Sequence, residues 1–205
     1  MKDIVVNKCM NYISKNTKYN KTKLAEIKYG IEGIYLTITK LIIVLVISIL
    51  LGIFKEVLIF ILFYNFIRMP SFGLHATKSW ICLLSSIIVF IGIPYLCTIL
   101  NINIILKIII CAFCILLMYK NSPADTKKRP IINKNRRKKY KIISTLIAIF
   151  YSILCLYINN EFISNCVLFS MITQNIMISP MTYKIFKLPY NNYITFLKEH
   201  PEYQN

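Results

Sequence analysis

The chain is poor in acidic residues and in histidine. Its 205 residues hold 8 Asp and Glu against 25 Lys and Arg, for a formal net charge of +17, and two histidines. In a soluble protein that imbalance would point to nucleic acid. The apolar content argues against a soluble domain: 57% of the residues are hydrophobic and the mean hydropathy is +0.59, whereas soluble domains are about 45–50% apolar. The excess is gathered in long runs, as in membrane proteins. The basic residues are then read as those of cytoplasmic loops, and no nucleic-acid partner is expected.

Other features are also missing. No Gly/Ser-rich linker and no internal repeat divides the chain, so residues 1–205 are expected to form one integral membrane domain. The opening "MKDIVVNKCMNYISKNTKYNKTK" lacks an apolar core and a small-residue cleavage site, so insertion by internal helices is expected. The seven cysteines are odd in number and lie mostly within apolar runs. That does not resemble a disulfide framework; they read as small buried hydrophobes in a reducing cell, with one exception. Cys111 and Cys114 form "CAFC" inside an apolar run, without a zinc or redox context. No metal and no cofactor is expected.

What is present is an all-α pattern. Residues 1–30 form a basic leader in which Ile4, Val5, Cys9, Tyr12 and Ile13 share one helix face, as in an interfacial amphipathic helix. Six apolar segments follow: Ile31–Phe54, Val57–Ile67, Trp80–Leu100, Ile102–Tyr119, Ile142–Ile158 and Phe162–Ser179. A span needs roughly 17–25 residues, and the second segment is too short alone. The leader, residues 68–78, the loop 120–141 and the tail 181–205 hold 22 of the 25 basic residues. Six crossings put all four on one side, and the positive-inside rule makes that side, with both termini, cytoplasmic. The expected architecture is a polytopic helical membrane protein of about six transmembrane helices. Helices one and two occupy 31–67, three and four 80–119, five and six 142–180.

Between helices two and three lies "RMPSFGLHATKSWIC" (68–82), with the one histidine of the chain body, His75, and Cys82 seven residues on. Pro70 and Gly73 suit a break there. A lone loop histidine is usually solvated or packed, and a lone cysteine near a helix start is usually packing. Their pairing in this polar interruption suggests chemistry. The thiolate is the nucleophilic form of cysteine; His75 can take the proton, a helix start capped by Ser79 favours the anion, and Lys78 adds positive charge. On one straight helix, residues seven apart lie roughly 10 Å apart along the axis. A direct dyad therefore requires a bend between 75 and 82. Asp125 in "SPADTKKRP" is the main carboxylate candidate nearby, as an orienting, loop-capping or substrate-contacting group. The run Lys134–Lys141 reads as a topology determinant and a contact for anionic lipids of the cytoplasmic leaflet, and could attract an acidic peptide.

Three patches resemble the accessory gene regulator B family, the membrane cysteine endopeptidases of Gram-positive quorum sensing: "EIKYGIEGIYLTITK" (26–40), "RMPSFGLHATKSWIC", which is similar to the family's Arg…Gly-x-His…Cys pattern, and "SPADTKKRPI" (122–131). The resemblance implies that Cys82 is the nucleophile and His75 the base, that Arg68 and Gly73 support the site, and that Asp125, Thr126 and Lys128 belong to a substrate-binding loop. It implies a bacterial cell-membrane enzyme, active site on the cytoplasmic side. Such an enzyme cuts the C-terminal part of an autoinducer pro-peptide and promotes closure of the upstream part into a thiolactone. Many members carry two glycines just before the histidine; Phe72 stands in the place of the first, leaving less backbone freedom at the bend. Two other readings stand beside this one. Lys40 and Lys107 within apolar runs would suit a small transporter or channel, unless both snorkel from the span ends. A non-enzymatic scaffold would use the basic face for lipid or a partner. Association into a homodimer, common among small bundles, is compatible with each.

Overall fold

The structure, a computed structural model, describes residues 2–17, 19–74, 79–127 and 129–201; the side chains of Lys21, Ser79 and Trp80 are also outside the description. It is built of helices: α1 (Lys2–Asn16), α2 (Lys21–Leu50), α3 (Phe54–Ser71), α4 (Ser79–Ile87), α5 (Ile93–Ile99), α6 (Ile104–Asn121), α7 (Lys134–Tyr157), α8 (Glu161–Ile178), α9 (Pro180–Ile185) and α10 (Asn192–Glu199). A π-helical turn, Ile88–Gly92, joins α4 to α5 into one rod. Among the described residues the only extended pairings are isolated bridges, Phe72 with Ala124 and Thr126 with Arg129. The all-α expectation holds. Five stretches are long and apolar enough to cross a membrane: Thr22–Leu50, Ile81–Ile99, Ile104–Asn121, Lys134–Tyr157 and Glu161–Ile178.

Local chemistry sets the helix starts. Asn20, Asn103, Asn133 and Asn160 each turn a side-chain oxygen onto the first backbone N–H groups of α2, α6, α7 and α8, satisfying donors that have no intrahelical partner. α2 therefore starts at Lys21, ten residues before the apolar run, because the cap and not the first apolar residue decides where a helix begins. The short second helix expected from residues 57–67 is corrected in the same way: α3 has 18 residues and continues through Arg68 and Pro70 to Ser71. Pro70 lies in the last turn, where its missing N–H costs one hydrogen bond rather than a helix. α3 carries Lys55, Glu56 and Arg68, which sets it apart from the five apolar spans.

The bundle is organised around α8, which packs against α3, α5, α6 and α7. Of its span, 61% is buried, against 11% for α2. Close approach comes from small residues. Ser144, Ala148 and Ser152 repeat every fourth position on α7 and are buried, and Cys111 and Cys114 do the same service on α6. Both lysines in the apolar runs have partners, which corrects the snorkelling picture. Lys107, 3% exposed, is 2.8 Å from both the Glu161 carboxylate and the Ser164 hydroxyl. Lys40 reaches the other site of interest, described next.

Candidate active site

The site is assembled where α3, α6 and α8 end and α7 begins. α3 stops because Phe72 and Gly73 both take positive φ, 58° and 114°. A Cβ on Gly73 would lie 3.1 Å from the Met177 carbonyl oxygen, so this position requires glycine for space as well as for conformation. The segment 72–74 then runs between two carbonyl-bearing strands of chain. The Gly73 N–H donates to the Ala124 carbonyl at 3.0 Å, the Ala124 N–H to the Ser71 carbonyl at 3.1 Å, and the Leu74 N–H to the Met177 carbonyl at 3.1 Å. Gln174, fully buried on α8, donates its amide to the Ser71 hydroxyl and to the Phe72 carbonyl, at 2.7 and 2.8 Å.

Arg68 sits in the last turn of α3. It donates to the Tyr64 hydroxyl and, at 3.2 Å, to the Leu74 carbonyl. Leu74 is thus pinned through both of its backbone groups, directly before His75. Arg68 and Gly73 both act on the backbone just before His75, Arg68 through the Leu74 carbonyl and Gly73 through the Ala124 carbonyl. His75 and Lys78 lie outside the described residues, so the expectation of a bend between 75 and 82 falls there too, since residues 79–82 are already helical.

Cys82 lies on α4, three residues after Ser79, which is itself helical. Of the seven free cysteines, Cys9 is exposed on α1, five are buried, and Cys82 is half-buried. Its sulfur accepts a hydrogen bond of 3.0 Å from the Lys40 ammonium on α2. Its carbonyl accepts from the Ser85 and Ser86 hydroxyls. Sequence reasoning did not connect Lys40 with Cys82. The available signal was a charge inside an apolar run, which in a membrane is costly and is kept for a partner or a function; the sequence did not say which helix faced it.

Asp125 is 3% exposed. Its carboxylate accepts the N–H groups of Asn192 (3.0 Å), Tyr193 (2.9 Å) and Ile131 (3.3 Å), and Arg137 approaches it at 3.5 Å. The first two are the opening donors of α10, whose own preceding residue, Asn191, makes no side-chain cap. Asp125 therefore caps a helix 67 residues away and favours its positive end. The Tyr183 hydroxyl donates to the Asp125 carbonyl at 3.0 Å; burial, and then the Asp125 charge, push that phenol above its ordinary pKa. The Thr126 carbonyl accepts the Arg129 N–H at 3.0 Å, closing a turn. Lys128 lies outside the described residues. In the basic run, the Arg137 guanidinium is 3.5 Å from the centre of the Tyr193 ring and the Lys141 ammonium 4.1 Å from that of Tyr119, while Lys134, Arg136, Lys138 and Lys139 are exposed.

The fold and these contacts define a class: a polytopic helical membrane protein with a half-buried, amine-paired cysteine and, eight residues before it in the chain, a tightly pinned loop. The chain belongs to the accessory gene regulator B family, which it matches over residues 6–178. It is 32% identical over 186 residues to a putative AgrB-like protein of Clostridium acetobutylicum, covering 90% of this chain and 88% of that one. It is 32% identical over 168 residues to a putative AgrB-like protein of Listeria innocua, covering 82% of each. With the accessory gene regulator protein B of Staphylococcus aureus it shares 27% identity over 180 residues, 87% of this chain and 95% of that one. No solved structure matches it. Membership carries involvement in the peptide processing of accessory gene regulator quorum sensing.

Proposed function

We propose that this protein is a membrane cysteine endopeptidase that cuts the C-terminal part from an autoinducer pro-peptide and promotes closure of the remainder into a thiolactone, working at the cytoplasmic face of the bacterial cell membrane. The observation that carries the reading is the setting of Cys82. It alone among the cysteines combines partial exposure with hydrogen-bond reach of an amine, and the chain just before His75 is held through Leu74, Gly73 and Arg68.

In this mechanism His75 takes the Cys82 proton and the thiolate attacks the scissile carbonyl carbon. The C–N bond breaks, the amine of the departing tail takes the proton from the His75 imidazolium, and an acyl thioester remains on Cys82. A cysteine of the substrate, deprotonated by His75, attacks that thioester and displaces the Cys82 thiolate, which recovers the proton. One thioester replaces another, so ring closure needs no ATP. The half-buried sulfur limits access of water, the competing nucleophile. Asp125 serves by holding the 122–131 loop and α10 in place around the site, while Thr126 and Lys128 contact the substrate.

The test is to co-express the pro-peptide with the wild type, Cys82→Ala and His75→Ala, and to follow peptide mass. Loss of tail release and of the dehydrated ring product is expected in both variants. Tail release at the normal rate from Cys82→Ala would overturn the protease reading.

A further inference from the structure

The Lys40 ammonium has an unusual partner. In the hydrophobic span of α2 it makes no ion pair with a carboxylate among the described residues, while Lys107, the other lysine within an apolar run, is paired with Glu161. Few carboxylates are available: Asp125 is taken by α10 and Arg137, and Glu26 lies beside Lys23. What the Lys40 ammonium meets is the Cys82 sulfur, at 3.0 Å, in a part-buried contact between two helices. An ammonium has donors and no acceptor, and burial raises the cost of leaving its charge without an anion. A thiolate supplies that anion.

We propose that Lys40 is a catalytic residue whose ammonium is the counter-ion of the Cys82 thiolate. The proposal rests on the cysteine endopeptidase reading and deepens it by adding a third group to Cys82 and His75. His75 carries the proton; Lys40 keeps its own throughout. Before attack, Lys40 balances the charge left on sulfur when the proton moves to His75. As the S–C bond forms, that charge passes to the carbonyl oxygen and the amine of the tail then leaves with the His75 proton. When the substrate thiol displaces the enzyme, the C–S bond to Cys82 breaks with its electron pair on sulfur, and Lys40 again faces the departing thiolate. It therefore serves both half-reactions, acylation and ring closure, and favours Cys82 as the leaving group in the second.

The test reads the sulfur directly. Purified full-length protein in detergent is treated with iodoacetamide at neutral pH, and alkylation of the Cys82 and Cys9 peptides is followed by mass spectrometry. Cys9, exposed on α1, is the internal reference. Removing a cation within a few ångströms of a thiolate lowers its population about tenfold or more, so Lys40→Met is expected to slow Cys82 relative to Cys9 by about that factor, and Lys40→Arg to recover most of the loss. Lys40→Met that alkylates Cys82 at the wild-type rate overturns the proposal. Should Lys40→Met disturb the fold, the buried Cys97 and Cys166 become reactive. The same reading is then taken from Lys40→Gln, whose amide keeps a donor without the charge; an undiminished Cys82 rate there is equally fatal. Alkylation needs no peptide substrate. Failure of the protease reading would appear in the Cys82→Ala co-expression and failure of the Lys40 proposal in the labelling.

Discussion

At Phe72 a bulky residue holds φ 58° and ψ −127°, a region that costs a non-glycine residue about 1–3 kcal/mol. The ring offsets part of that strain by packing edge-on against Tyr140, 5.0 Å between centres, a contact worth about 0.5–1.5 kcal/mol. The two terms nearly cancel, so Phe72→Gly should change thermal stability in detergent little, since it loses the ring and relieves the strain together. Phe72→Ala keeps the strain and loses the ring, and should be less stable than Phe72→Gly by about 1–2 kcal/mol. Equal melting of the two variants would show that the backbone at 72 is not strained. Gly73→Ala faces both a forbidden φ and the Met177 carbonyl and is expected to cost about 1–3 kcal/mol. The glycine at 73 was readable from the sequence as part of a break, and Phe72 as the place where backbone freedom would be short. The reason for the break was not readable, because the groups that receive it, Ala124, Gln174 and Met177, come from α8 and from a loop more than fifty residues away.

At the scale of elements, α10 depends on Asp125. A helix of eight residues is marginal alone, and this one starts without a side-chain cap of its own. Asp125→Ala would leave two opening N–H groups and Arg137 without their acceptor in a buried place, at a cost of about 3 kcal/mol or more. Asp125→Asn, which retains one accepting oxygen, should lose less. We expect faster hydrogen exchange across residues 189–200 in Asp125→Ala, with α6 and α8 unchanged. Exchange across residues 189–200 that matches the wild type would mean that α10 is held by Arg137 on Tyr193 and not by the carboxylate. The sequence marked Asp125 as a loop-capping candidate. It could not show that the capped helix was in the polar tail, because residues 181–201 have no long apolar face and α10 is held by tertiary contacts to Asp125 and Arg137. The long spans were legible for the opposite reason: a hydrocarbon environment demands long apolar helices, so their signal is carried by composition alone. The Lys40–Cys82 pair joins α2 to α4, a neighbour relation that periodicity within either helix does not encode.

On the scale of the whole molecule, the net charge of +17 is a field and not only an address for membrane insertion. Part of the basic run is already committed, with Arg137 held by Tyr193 and Asp125 and Lys141 resting on Tyr119. The exposed remainder, Lys134, Arg136, Lys138 and Lys139, lies at the start of α7, at the same end of the bundle as the pinned 72–74 segment. Clustered charge of one sign raises the local concentration of an oppositely charged substrate, so a pro-peptide with an acidic tail should be gathered there. Salt separates that role from chemistry, because the Debye length falls from about 30 Å at 0.01 M to about 3 Å at 1 M. Over that range the KM for an acidic-tailed peptide should rise about tenfold while kcat stays level. Replacing Lys134, Lys138 and Lys139 together with Gln should raise KM at low salt and flatten the salt dependence. Arg137 must be left intact in that variant, since its loss would release α10 and confuse steering with folding. A KM that ignores salt in the wild type would return the basic run to the simpler task of fixing orientation in the membrane.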